Sequence, residues 1–186
     1  MGEVRGDARC RRGAHRHEQR PADPRRVPDA EGKAVTTAGG HAALITPDLV
    51  LLGATADDRD TAIRVAASRL SRAGRLTDEH AYVQAVLERE AATSTAVGFG
   101  IATPHAKTDA VARTSIAVLR LSTAVRWSGE DDVDLVVQLA VTEADRSDEH
   151  LRILAALARR LVHADFRAQL RGTPTAQGVV DLLDGI

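Results

Sequence analysis

From Leu44 onward the apolar residues recur in two rhythms, short continuous runs and three-to-four spacing, and each rhythm predicts an element. Leu49–Leu52 is a short apolar run after Pro47 and reads as a strand. Ile63, Ala66, Ala67 and Leu70 fall at i, i+3, i+4 and i+7 of a helix that Asp57 or Asp58 can cap and Gly74 stops. Tyr82, Val83, Val86 and Leu87 mark the inner face of a second helix. Thr77 stands at its cap, Asp78 and Glu79 in a first turn that suits negative charge, and it ends near Arg89-Glu90. The next stretch, AATSTAVGFGIATPH, holds two glycines and a proline that break helix, so it reads as a loop feeding a short strand at Ile101–Thr103.

Thr114–Leu121 and Val133–Val141 follow as strands, the second almost continuously apolar, as expected of a strand covered on both faces. Ser147 is a good N-cap for a helix with Asp148 and Glu149 in its first turn. Its inner face is Leu151, Leu154, Ala155, Ala158, Leu161 and Val162. A short helix spans Asp165–Arg171, and a last one starts at Thr173-Pro174 and buries Ala176, Val179, Val180 and Leu183. The order β-α-α-β-β-β-α-α-α lacks strict alternation, which predicts an α/β fold with a mixed β-sheet flanked by helices on both faces.

Composition changes this picture at one end only. The chain has 186 residues, 44% hydrophobic and 27% charged, enough for one core, and aromatics at 2% leave that core to Ala, Val, Leu and Ile. Residues 1–33 carry eight Arg and Lys33 against six acids and almost no large apolar side chains. Such a segment cannot bury enough surface to offset the entropy of ordering, so 1–43 is expected to be a disordered Arg-rich tail, or an over-long gene start, ahead of a folded domain at 44–186. The net charge of -1 gives no case for nucleic acid, and no apolar run reaches the ~20 residues of a membrane span. The single cysteine, Cys10, allows no intrachain disulfide and fits a cytoplasmic location.

Candidate chemistry centres on His105, which follows the glycine-bearing loop and Pro104 at the end of a predicted strand. A neutral imidazole can act as a phosphoryl nucleophile through one nitrogen while the other is held by a hydrogen bond; a plain surface histidine at a turn has the same local spacing. His150, in the first turn of a helix, lies where backbone N–H groups favour an anion, or simply faces solvent. Arg89, at a helix C-terminus, matches phosphate oxygens in shape, or serves only the helix dipole. A metal held by His105, Asp109 and His150 is disfavoured, because neither HxxxH nor HExxH occurs, and no metal or other cofactor is expected. There is no GxxxxGK[ST] phosphate loop, and GFG is no dinucleotide fingerprint. No function is assigned to His15, His17, His41, His80, His163 or Cys10.

Arg89-Glu90 followed by Thr95-Ala-Val-Gly98-Phe-Gly100-Ile-Ala-Thr-Pro104-His105-Ala-Lys-Thr closely resembles the phosphorylation-site motif of the type 2 enzyme IIA domains. These are phosphocarriers of the phosphoenolpyruvate-dependent sugar phosphotransferase system (PTS), in its fructose/mannitol class. LITPDLVLL, DLVVQLAV and Asp148-Glu149-His150-Leu151 are similar to the same family in the same order, so the resemblance covers roughly Leu44 to Leu183. It implies an α/β sandwich in which His105 is the phosphoryl acceptor at its tele nitrogen, His150 lies beside it and Arg89 lies near the phosphate. It further implies HPr as donor and an enzyme IIB cysteine as acceptor, with enzyme IIC completing a membrane permease for a fructose-like sugar.

Phe99 stands where many fructose-class members carry Glu, and Thr103 where Ile or Val is usual. Exposed small and apolar residues near the site, Ile101 and Phe99 among them, would form the partner surface. Two other readings accompany this one: a nitrogen-type regulatory enzyme IIA that switches protein partners, and a non-transport sensory or binding domain of the same fold. A metal-dependent hydrolase is the outsider.

Overall fold

The computed structural model describes residues 43–144 and 149–186. The expectations for the tail and for Ser147 as a helix cap lie outside the described residues. Pro47–Leu49 forms a 3-10 turn that leads into β1 (Val50–Ala54). α1 (Arg59–Arg72) is capped by Asp58, whose carboxylate accepts from the Thr61 amide at 2.7 Å. α2 (Glu79–Ala92) is capped by Asp78 and not by Thr77. Thr77 instead donates its hydroxyl to the Asp109 carbonyl, tying the start of α2 to a neighbouring loop.

Two short strands occupy the stretch expected to be a loop and one strand, β2 (Ala96–Gly98) and β3 (Ile101–Ala102), and a third that was not expected, β4 (His105–Thr108), begins at its last residue. β5 (Ser115–Ser128) and β6 (Asp131–Thr142) overrun their sequence-based bounds and join in one long antiparallel pair. α3 (Glu149–Leu161), α4 (Ala164–Gly172) and α5 (Ala176–Leu183) complete the fold. The last helix begins after Thr173-Pro174, because Thr175 is its cap and accepts from the Gly178 amide at 3.1 Å.

The sheet runs β1-β5-β6-β3-β2, with β4 also on β6. β1 lies parallel to β5, β5 antiparallel to β6, and both β3 and β4 parallel to β6. This is the mixed α/β sheet with helices on both faces. Leu135–Val141 of β6 are buried at every position, which requires cover on each side of the sheet.

α3 corrects the expected inner face. Ile153, Leu157 and Leu161 enter the core, whereas Leu151 and Val162 are exposed and Ala155 and Ala158 face solvent. The apolar stripe on this helix is too wide for one face to bury.

Candidate functional site

β3 and β4 are one strand interrupted. Ile101 and Ala102 pair with Leu135 and Val136, and His105 resumes the same register opposite Leu139. Thr103 and Pro104 form the gap. Pro104 has no N–H to give a ladder, but its carbonyl still accepts from the Leu139 amide at 2.9 Å. The Thr103 carbonyl turns to the His105 ring, where Nδ1 lies 2.9 Å away. A carbonyl can only accept, so Nδ1 carries the proton and Nε2 keeps its lone pair. His105 is half-buried, and burial is the first cause that holds its pKa below the ordinary histidine value. The Thr103 bond opposes this, the charges of Arg89 and His150 lower it further, and that of Glu90 raises it. A neutral ring with a free Nε2 is therefore the resting form near neutral pH.

The C-terminal turn of α2 supplies two neighbours of opposite charge. Arg89 is half-buried and donates from Nη1 to the Thr93 carbonyl at 2.9 Å. Glu90 is 2% exposed, and it takes the Thr95 amide at 2.8 Å, the Thr95 hydroxyl and the Trp127 indole N–H at 2.8 Å. Thr95 passes the bracing on, since its carbonyl accepts the Thr103 amide at 3.0 Å. The departure at Thr103 has a visible use here: its hydroxyl also points to that carbonyl, at 3.5 Å.

His150 approaches from the first turn of α3. Its Nδ1 is buried and has no hydrogen-bond partner among the described residues. Arg89 and His150 are thus both within electrostatic reach of His105, although the three come from different elements. No group of three or more His, Cys, Asp or Glu side chains that could hold a metal ion occurs among the described residues.

The β2–β3 hairpin turns at Phe99-Gly100 with positive φ at both residues, 56° and 75°, as a type I′ turn requires. For Phe99 this left-handed conformation is strained, and α4 holds it in place. Arg171 donates to the Phe99 carbonyl at 2.6 Å and pairs with Asp134 at 2.6 Å, and the Arg167 guanidinium lies 3.9 Å from the centre of the Phe99 ring. A side chain at Gly100 would have to displace the ion pair, because a Cβ there would stand 2.8 Å from Asp134 Oδ1 and 2.9 Å from Arg171 Nη2.

A cavity of about 280 Å³ opens beside His105, lined by Val97, Phe99, Thr103, Leu154, Ala158, Leu161 and Val162. The large apolar side chains left exposed among the described residues are Val97 on β2, Phe99 in its turn, Leu151 on α3 and Val162 just after α3, and all but Leu151 line this cavity. Such concentration of apolar surface beside one polar group marks an interaction site. Ile101, expected at this surface, is fully buried because it pairs with β6 and faces the core. Sequence reasoning also passed over Glu90 as a part of the site. It was visible only as the acid beside Arg89, and its partners Thr95 and Trp127 are brought to it by the fold.

The family described as phosphoenolpyruvate-dependent sugar phosphotransferase system, EIIA 2, matches residues 43–185. A PTS fructose-specific EIIA component from Haloferax volcanii is 39% identical over 142 residues, which cover 75% of this chain and 92% of that relative. The PTS 2-O-alpha-mannosyl-D-glycerate-specific EIIABC component of Escherichia coli is 34% identical over 140 residues, 74% of this chain but 21% of the relative's length. Among solved structures, a complex of mannitol enzyme IIA with phosphorylated mannitol enzyme IIB from Escherichia coli is similar with a TM-score of 0.66. Its sequence identity is 28%, over 76% of this chain and 98% of that one.

Proposed function

For a chain that belongs to the EIIA 2 family of the phosphoenolpyruvate-dependent sugar phosphotransferase system, we propose that His105 is the phosphoryl acceptor and Nε2 its reacting atom. The observation that carries this reading is the bond from His105 Nδ1 to the Thr103 carbonyl, which leaves Nε2 as the unprotonated nucleophile. The donor is the phosphohistidine of HPr. The Nε2 lone pair attacks phosphorus, the donor's P–N bond breaks as the new one forms, and the donor imidazole leaves with the electron pair. The His105 ring then carries positive charge shared with Nδ1–H, which the Thr103 carbonyl accepts. Arg89 and the His150 ring donate to the phosphoryl oxygens, since phosphoryl transfer asks chiefly for positioning and charge stabilisation.

In the forward step a cysteine thiolate of an enzyme IIB domain attacks the same phosphorus. A P–S bond forms, the P–N bond breaks, and the electron pair returns to Nε2. The likeness to an enzyme IIA that forms a complex with phosphorylated enzyme IIB supports this partner. The fructose-specific relative supports a fructose-like sugar, delivered through an enzyme IIC permease. HPr and enzyme IIB both dock on the apolar rim of Val97, Phe99 and Val162, which also keeps water from the labile P–N bond.

The test is incubation with phosphoenolpyruvate, enzyme I and HPr, followed by intact-mass analysis of wild type and His105→Ala. One acid-labile phosphoryl group on wild type alone is the expected result. No gain in a folded wild type with its cognate HPr overturns the carrier role.

A further inference from the structure

The carboxylate of Glu90 is almost fully buried, yet three neutral donors compensate it: the Thr95 amide, the Thr95 hydroxyl and the Trp127 indole. A buried charge is costly unless every lone pair has a use, so its position beside the site calls for a reason. The bonds run in one direction. Glu90 accepts the Thr95 amide, the Thr95 carbonyl accepts the Thr103 amide, and the Thr103 carbonyl accepts His105 Nδ1–H. Trp127, on β5, anchors the far end to the sheet. No regular ladder ties Thr103 to β6, because the strand is broken there, so the bond to Thr95 holds this carbonyl in aim.

We propose that Glu90 is the positioning residue of the phosphorylation site: through Thr95 and Thr103 it holds the His105 ring with Nδ1 protonated and Nε2 free, and its charge favours the positive ring that phosphorylation creates. The proposal rests on the reading of His105 as phosphoryl acceptor. The electrostatics agree in sign, for Glu90 favours the protonated ring while burial, Arg89 and His150 oppose it. Glutamine at this position keeps the bonds, since the Thr95 hydroxyl can rotate to accept from the amide, but it removes the charge. Alanine removes both. The two functions of the carboxylate are therefore separable.

The experiment uses the full chain labelled with 15N, as wild type, Glu90→Ala and Glu90→Gln. It reads the His105 ring nitrogens across pH, the indole N–H of the single tryptophan, and the rate of phosphorylation by phosphoramidate, a small donor that needs no protein partner. In wild type the neutral His105 ring is expected to hold its proton on Nδ1. Glu90→Ala should mix in the Nε2–H form and slow phosphorylation about tenfold or more. Glu90→Gln should restore the Nδ1–H form while its His105 titrates at lower pH than in wild type. A folded Glu90→Ala protein with wild-type ring signals and rate overturns the proposal. If Glu90→Ala does not fold, Glu90→Gln decides: an unchanged His105 titration overturns it, and a lowered one with Nδ1–H retained supports it. If neither HPr nor phosphoramidate modifies wild type while the ring tautomer still depends on Glu90, it is the carrier reading that fails, and only the control of the His105 tautomer by Glu90 is retained.

Discussion

His105 depends on a contact two residues away, the Thr103 carbonyl, for which of its nitrogens can react, and on its burial for being neutral. Its titration therefore has consequences for both chemistry and stability. The folded ring holds its proton less tightly than the unfolded one, whose pKa is about 6.5. As pH falls below that value the unfolded chain binds the proton first, so the wild-type fold loses stability until the lower folded pKa is passed. Chemical denaturation of wild type and His105→Gln across pH should show wild type losing ground below about pH 6.5 and no pH-dependent difference above neutrality. Nε2 phosphorylation should persist to lower pH than an ordinary histidine allows. A His105 that titrates at or above the ordinary histidine value would refute both statements. The candidates His105, His150 and Arg89 were legible from residue type and motif order. The free nitrogen was implied only by the resemblance and not by the residues themselves, because it depends on a carbonyl freed by a broken strand.

The β2–β3 hairpin and α4 form one mechanical unit around Gly100. Phe99 has a left-handed backbone, and Arg171, Arg167 and Asp134 brace the turn that contains it. Gly100→Ala drives a Cβ into that ion pair at a positive φ and should cost about 1–3 kcal/mol, read as a lower denaturation midpoint. An unchanged midpoint would mean that the Asp134–Arg171 pair does not hold the turn. The two glycines predicted a break in helix here. They did not reveal β2 and β4, since strands of three and four residues have too few positions for an alternation to register, and their pairing with β6 is remote in sequence. The same limit explains the helix caps. Thr77 and Thr173-Pro174 fit local rules, but Thr77 is drawn to the Asp109 carbonyl, and Thr175 supplies the oxygen that caps α5.

Across the described surface, three of the four large exposed apolar side chains, Val97, Phe99 and Val162, line the cavity beside one half-buried histidine. Val162, 70% exposed at the cavity rim, is the simplest probe of that surface. Val162→Asp should leave the melting temperature nearly unchanged, because little of its area is buried. It should slow phosphoryl transfer from HPr by about tenfold or more through lost apolar contact, while leaving the slower reaction with phosphoramidate intact. Equal transfer from HPr in both proteins would exclude this rim from docking. α3 shows why the surface was hidden: its sequence offers one broad apolar stripe, and spacing alone assigned the whole stripe to the core. Packing takes Ile153, Leu157 and Leu161 inward and leaves Leu151 and Val162 exposed, Val162 at the cavity beside His105.

Periodicity by itself determined the helices, the central strands and the mixed α/β class, because neighbours at i, i+3 and i+4, or within one strand, are fixed by local geometry. The motif around His105 determined the family in the same way, since it lies in one continuous stretch. Tertiary structure decided what that motif can do. The Glu90 bond to Trp127 joins residues 37 apart, and Arg171 reaches Phe99 across 72. Contacts of that range have no local periodicity to betray them; they exist only once the sheet has set its register and the helices have packed on it.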